Sequence, residues 1–282
     1  MKLYAQQGYG TRERINSGLE EGVIHGAILS PRDTSKDRII SQISQMANDF
    51  PDADRLFDPQ YYASLIALDD GCRLGKLEGD NYSYFQARRR AELERESTIR
   101  EDLRSCLSEQ SEMDLTAIIA PNIVIRRSLN SIESVIAKNF IRNAVDVWSE
   151  LNDDRPLYVT LAIDAEALQD RYEVDEFLTD ITLMENPPHG FYLLINNLTS
   201  VIQPELVDHR TLAGWMMLNH SLSLNGFEVI NGYSDILTPL LSAAGGAAGA
   251  TGWWAAAFVL VLLFLGIFYL TKVLQYQNHK FV

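Results

Sequence analysis

Three short segments bring together side chains that do chemistry when they meet. Ser30-Pro31-Arg32-Asp33 sets a guanidinium beside a carboxylate. Arg32 there can clamp a phosphate or a carboxylate through two parallel hydrogen bonds, and its bland counterpart is a local pair with Asp33. Phe57-Asp58-Pro59-Gln60-Tyr61-Tyr62 gathers a carboxylate, an amide and two phenols. Asp58 would be a general base or a nucleophile, with Gln60 and Tyr61 holding substrate; the same residues also read as a proline turn whose aspartate accepts backbone N–H bonds. Asn231-Gly232-Tyr233-Ser234-Asp235 and Ala250-Thr251-Gly252 offer glycines that let backbone amides approach a phosphate, but neither matches a defined phosphate loop.

Several well-marked chemistries are missing from the chain. It has no GxSxG elbow, no HExxH and no GxxxxGK[ST] loop. Its two cysteines, Cys72 and Cys106, form no CxxC pair, and its five histidines have no metal-ligand spacing, so no metal site and no particular cofactor is expected. The formal net charge is −14. Such a balance argues against a nucleic-acid backbone as partner, because that affinity comes from clustered Lys and Arg. The dense run Arg88-Arg89-Arg90 sits among glutamates and reads as a solvated helix face.

What would position these residues is a repeated unit. A short β-rich run is followed by a helical stretch, and the runs are Lys2–Ala5, Val23–Leu29, Arg55–Phe57, Ala117–Ala120, Leu157–Ile163, Gly190–Ile195, Phe227–Ile230 and, most weakly, Ala247–Thr251. Several are continuously apolar, as strands buried on both faces of a parallel sheet are. Helical stretches are expected at Arg12–Glu21, Thr34–Asn48, Tyr84–Gln110, Ser128–Leu151, Ala165–Thr182, Pro204–Asn225 and Asp235–Ala243. Thr34 or Ser35 and Asp164 are the expected caps of the second and fifth of these. Eight β-α units in about 250 residues imply an α/β fold of the (β/α)8 barrel type; an open doubly wound sheet is the rival and normally needs fewer strands.

A barrel carries its site at the C-terminal ends of its strands. Those places hold polar residues from Gln6, Gln7 and Tyr9 after the first run onward, and the site is drawn from Arg32 and Asp33, Asp58, Gln60 and Tyr61, Asn122, Asp164, Asn196, Tyr233 and Asp235. Asp58, Asp164 and Asp235 are the expected catalytic carboxylates and the others the expected substrate contacts. Against this, Asp, Asn and Ser in such places also cap helices and close turns. A (β/α)8 barrel with strand-end aspartates at 58, 164 and 235 resembles the tRNA-guanine transglycosylase superfamily. The resemblance spans residues 1–252 by architecture, and it implies one aspartate as nucleophile and another as acid/base on a nucleobase. The chain has neither that family's cysteine-rich zinc site nor its Asp-Ser-Gly-Gly-Phe segment.

Residues 1–252 therefore read as one α/β domain, and residues 253–282 are of another kind. Trp253 to Leu270 is an eighteen-residue run without a charge or a proline. As a helix it would reach about 27 Å, close to the hydrocarbon thickness of a bilayer. Trp253 and Trp254 at one end and Tyr269 near the other suit the two interfaces, and Lys272 suits the headgroups. Residues 253–271 are expected to span a membrane in the place of the barrel's eighth outer helix, with 272–282 as a short polar tail. The opening Met-Lys-Leu-Tyr-Ala-Gln-Gln lacks the apolar core of a signal peptide. The expectation is thus a single-pass, tail-anchored protein with its domain in the cytoplasm and the lipid bilayer as partner. Two functions are open: an enzyme acting on a small phosphorylated or nucleobase-containing substrate, or a non-catalytic sensor or scaffold that assembles, also with itself, through Tyr84–Gln110.

Overall fold

A computed structural model describes residues 1–7, 13–68, 74–79, 81–196 and 208–252. The elements run β1 (Lys2–Gln7), α1 (Glu13–Glu20), β2 (Gly26–Leu29), α2 (Lys36–Asp49), β3 (Asp54–Phe57), α3 (Arg90–Leu93), α4 (Glu96–Ser111), β4 (Ile118–Ala120), β5 (Val124–Ile125), α5 (Ile132–Glu150), β6 (Leu157–Asp164), α6 (Arg171–Thr182), β7 (Gly190–Asn196), α7 (His209–Leu224), β8 (Glu228–Gly232), α8 (Thr238–Ala243) and β9 (Ala248–Gly252). Every ladder is parallel, and the strand order is β3-β2-β1-β9-β8-β7-β6-β4, with β5 also on β6. β4 and β5 are one stave interrupted at residues 121–123. The two ends of that order meet: the Thr116 amide donates to the Arg55 carbonyl at 3.0 Å and the Arg55 amide to Thr116 Oγ1 at 2.9 Å. An order that returns on itself is a barrel, and the doubly wound alternative does not fit it.

The alternation of side chains divides the core in two. Inside the barrel lie Tyr4, Ile28, Leu56, Ile119, Tyr158, Ala162, Tyr192, Leu194, Ile230, Ala248 and Ala250. The other parity, including Leu29, Phe57, Val159, Leu161, Ile163, Phe191, Leu193 and Val229, packs outward with the helices in the larger cluster. Both faces of the central strands are thus covered, which is why β6 shows eight buried residues in a row and reads as a continuous apolar run.

The caps differ from the expected ones. Ser35 stands at the start of α2, but its side chain makes no capping bond. The stretch from Ala165 splits: a 3-10 turn, Ala165–Leu168, precedes α6, and Asp170 caps α6 by accepting from the Tyr172 and Glu173 amides. Asp164 caps nothing through its side chain. Tyr84–Gln110 is not one helix: it holds the short α3 and, after a break at Glu94 and Arg95, α4. Its α4 buries Ile99, Leu103, Cys106 and Leu107 against the barrel layer, while Arg100 and Arg104 share Glu150 on α5.

The run Trp253–Leu270 and the tail after it lie outside the described residues. Among those described, no helix is long and apolar enough to cross a membrane.

Candidate active site

The cleft at the C-terminal end of the barrel holds about 990 Å³. Strand ends β5, β6, β7 and β8 floor it with Val124, Ala162 and Asp164, Leu194 and Asn196, and Gly232; Tyr62, Ala63 and Ile66 form one wall, and Arg126, Arg127, Ser128 and Ser131 another. A shallower hollow on α4, lined by Ser97, Arg100 and Arg104, lies on the outer surface and away from the strand ends.

Three carboxylates line this cleft: Glu133, which pairs with Arg90, Glu166, whose charge helps to raise the Asp164 pKa, and Asp164 at its floor. Asp164 is the last residue of β6, and strand register sets it beside Asn196, the last residue of β7. The Asn196 amide donates to Asp164 Oδ1 at 2.7 Å. Burial pushes the Asp164 carboxyl above its usual range, against the downward pull of that hydrogen bond and of the Arg126 charge. Because Asp170 caps the following helix, the Asp164 carboxylate is left to the cleft.

Asp58 lies behind this surface, fully buried at the end of β3. Its Oδ2 accepts from the phenols of Tyr62 at 3.1 Å and Tyr192 at 3.2 Å, and its Oδ1 from the Gln60 amide at 3.0 Å. Tyr192 in turn accepts from Gln6 Nε2 at 2.6 Å. Desolvation outweighs these three bonds and raises the Asp58 carboxyl to about 6. Tyr62 both lines the cleft and donates to Asp58, so it links the buried carboxylate to the open space. The Tyr233 phenol stands near the same network, close to Ser30, Gln60 and Gln6. Gly232 makes room for Leu194 and Tyr192: a Cβ there would lie 2.4 Å from Leu194 Cδ2 and 2.8 Å from Tyr192 Oη.

Backbone strain gathers at this end. Gln60, Arg127, Tyr233 and Asp235 all have positive φ, from 41 to 59°. The Ser128 amide reaches the Arg126 carbonyl at 2.6 Å across Arg127, a tight three-residue turn. It presents Arg126 and Arg127 exposed, and neither is in an ion pair among the described residues. Residues held in such conformations cost on the order of 1–3 kcal/mol each and cluster at functional sites.

The expected site residues fall into three groups. Asp164, Asn196 and Tyr233 line the cleft, and Asp58 and Gln60 belong to the network behind it. Arg32 and Asp33 are exposed at the end of β2 and line no part of the cleft; the Arg32 amide donates to Gln60 Oε1 at 3.2 Å. Tyr61, Asn122 and Asp235 line no part of the cleft. Tyr61 turns into the helix layer, packs on Phe85 and Phe140 and donates to Asp102, which Arg88 also grips. Asn122 bridges the Ala137 and Thr160 carbonyls at the break between β4 and β5. Asp235 Oδ1 accepts from the Gly252 amide at 2.8 Å and ties the ends of β8 and β9 together. Tyr62, which the sequence sets beside Asp58, and Gln6, at the end of the first β-rich run, complete the site together with Tyr192, Arg126 and Arg127, which nothing in the sequence spacing marks for it. Among the described residues, no group of three or more His, Cys, Asp or Glu side chains stands where a metal could be held.

No family model matches the chain, and no curated protein matches it. Solved structures to which it is similar include an HpcH/HpaI aldolase from Desulfitobacterium hafniense DCB-2, at 8% identity over 95% of this chain and 92% of that one, TM-score 0.47. A putative phosphonomutase from Burkholderia cenocepacia J2315 shares 9% identity over 94% and 92% of the two chains, TM-score 0.44. An HpcH/HpaI aldolase/citrate lyase family protein from the same organism shares 11% over 96% and 94%, TM-score 0.43. The transglycosylase resemblance of this chain goes no further than the barrel itself, since the aspartates 58, 164 and 235 do not converge on one open cleft.

Proposed function

We propose that the protein is a barrel enzyme, tethered to a membrane by residues 253–271, that carries out acid–base chemistry on a small anionic substrate. Of the two substrate classes open from the sequence, the phosphorylated one suits the cleft better, because two guanidinium groups outside any ion pair among the described residues edge it. In this reading Asp164 is the general base. A carboxylate with a raised pKa holds a proton more readily at neutral pH, and the neighbouring Arg126 stabilises the anion that forms. Asp58 acts through Tyr62, holding the phenol in one orientation and taking up part of any charge it develops. The observation that carries the proposal is Asp164 itself: a strand-end aspartate on the cleft, pushed upward by burial and free of any capping duty.

The test is deuterium exchange into a panel of small phosphorylated and carboxylated carbon acids, read by NMR in D2O with the full chain. The wild type should exchange at least one of them. Asp164→Asn should lower the rate by about a hundredfold or more, the usual contribution of a positioned base, with unfolding free energy changed by no more than about 1–2 kcal/mol. Exchange that persists in Asp164→Asn, or a panel untouched by the wild type, would defeat the proposal.

A further inference from the structure

The described chain ends at the mouth. Gly252 is the last residue of β9, pairs in register with Gln6 of the Asp58 network, and is held by the Asp235 carboxylate at 2.8 Å. Asp235 is two residues from Tyr233, which lines the cleft. The uncharged run opens at the very next residue, Trp253, so no spacer separates the rim of the cleft from eighteen residues that suit a hydrocarbon core.

A second feature lies on the same face. In a (β/α)8 barrel each helix begins at the C-terminal end of the strand before it, so the first turns of the helices ring the mouth. That ring carries exposed apolar side chains: Ile132 and Val135 in the first turn of α5, Tyr172 in the first turn of α6, and Tyr233 and Ile236 after β8. Leu68, in the segment after β3, joins them. Helix N-termini are ordinarily places for polar caps, and singly scattered apolar residues need no explanation, whereas a ring at one end does. Met1, Val23, Leu183 and Leu224 are also exposed but sit apart, at the opposite end.

Resting on the reading of the cleft as the site and of the run as a tether, we infer that the mouth face docks on the lipid bilayer. The occupant of the apolar ring is the lipid surface entered by the chain's own continuation. Because the uncharged run follows Gly252 at once, a tether through it sets the rim of the cleft beside the lipid surface. The cleft opens onto the headgroup layer, where the phosphorylated head of an amphiphile presents the same chemistry as the small phosphorylated compounds that probe the site in solution.

One helix supplies both test and control. Tyr172 and Leu183 stand at opposite ends of α6, exposed to 81% and 77%. The full chain, with Cys72→Ser so that buried Cys106 is the remaining native thiol, is reconstituted in phosphatidylcholine vesicles containing a minority of phosphatidylglycerol and a nitroxide-bearing lipid. A fluorophore attached through Tyr172→Cys should be quenched several-fold more than one attached through Leu183→Cys. Val135→Cys and Leu224→Cys form an independent pair with the same expected order. Equal quenching within both pairs, the reverse order, or a chain that does not float with the vesicles would overturn the inference. Deuterium exchange on a soluble phosphorylated compound is a separate readout. Retained Asp164-dependent exchange without differential quenching refutes the membrane-facing mouth alone, and the opposite result refutes only the catalytic reading.

Discussion

Two neighbouring tyrosines divide function from packing. Tyr61 and Tyr62 follow one another in a 3-10 turn, so their side chains point in different directions: Tyr61 to Asp102 among the helices, Tyr62 to Asp58 and the cleft. Tyr61→Phe should leave turnover unchanged and lower stability by about 1 kcal/mol, the net worth of one hydrogen bond, as measured by denaturant unfolding. Tyr62→Phe should do the reverse, reducing turnover and altering its pH profile. Asp58 makes a prediction about pH. Its pKa is raised in the folded state to about 6 from 3.8, so the folded protein binds the proton more tightly than the unfolded chain does. Stability from this group is therefore present below the unfolded value and lost as pH rises through about 6, by roughly 3 kcal/mol in all. Compared with Asp58→Asn, the wild type should fall behind progressively between about pH 4 and pH 6 in denaturant titrations; a constant difference across that window would contradict the assignment.

At the scale of elements, strand ends set the site, and strand ends are what the sequence makes legible. The eight apolar runs all form staves, even Ala248–Gly252, whose small residues are poor strand formers but leave space inside a barrel already filled by Tyr4, Tyr158 and Tyr192. Asp58 and Asp164 stand out because polar residues directly after apolar runs are conspicuous. Tyr192 does not, since an aromatic in mid-strand looks like any core residue until register shows that it faces inward toward Asp58. Arg126 and Arg127 escape because β5 is only two residues long and gives no pattern to mark its end. Nor can spacing tell a capping aspartate from a free one: Asp164 has the place of a cap, but Asp170 does the capping. The site also depends on a missing side chain. Gly232→Ala would drive a methyl against Leu194 and Tyr192. It should cost about 1–3 kcal/mol, the usual penalty for overpacking. It should also shift the titration of Asp58 by displacing the Tyr192 phenol; an unchanged titration would show that Tyr192 does not matter to it.

For the whole molecule, the barrel separates two tasks. The N-terminal end of the strands is closed by structural pairs, such as Tyr4 and Lys2 on Asp54 and Tyr158 on Glu228. The C-terminal end holds the cleft, most of the strained backbone and the point from which the chain continues. That Asp164 and Arg126 share one site at that end is tested most directly by titrating the Asp164 side chain by NMR in the full chain labelled at the aspartate carboxyl carbon, with Asp164→Asn to assign the signal. The expected midpoint lies above the ordinary aspartate value of about 3.9, and it should rise further in Arg126→Ala, because the guanidinium charge holds it down. A midpoint at or below the ordinary value, indifferent to the loss of Arg126, would contradict a shared site.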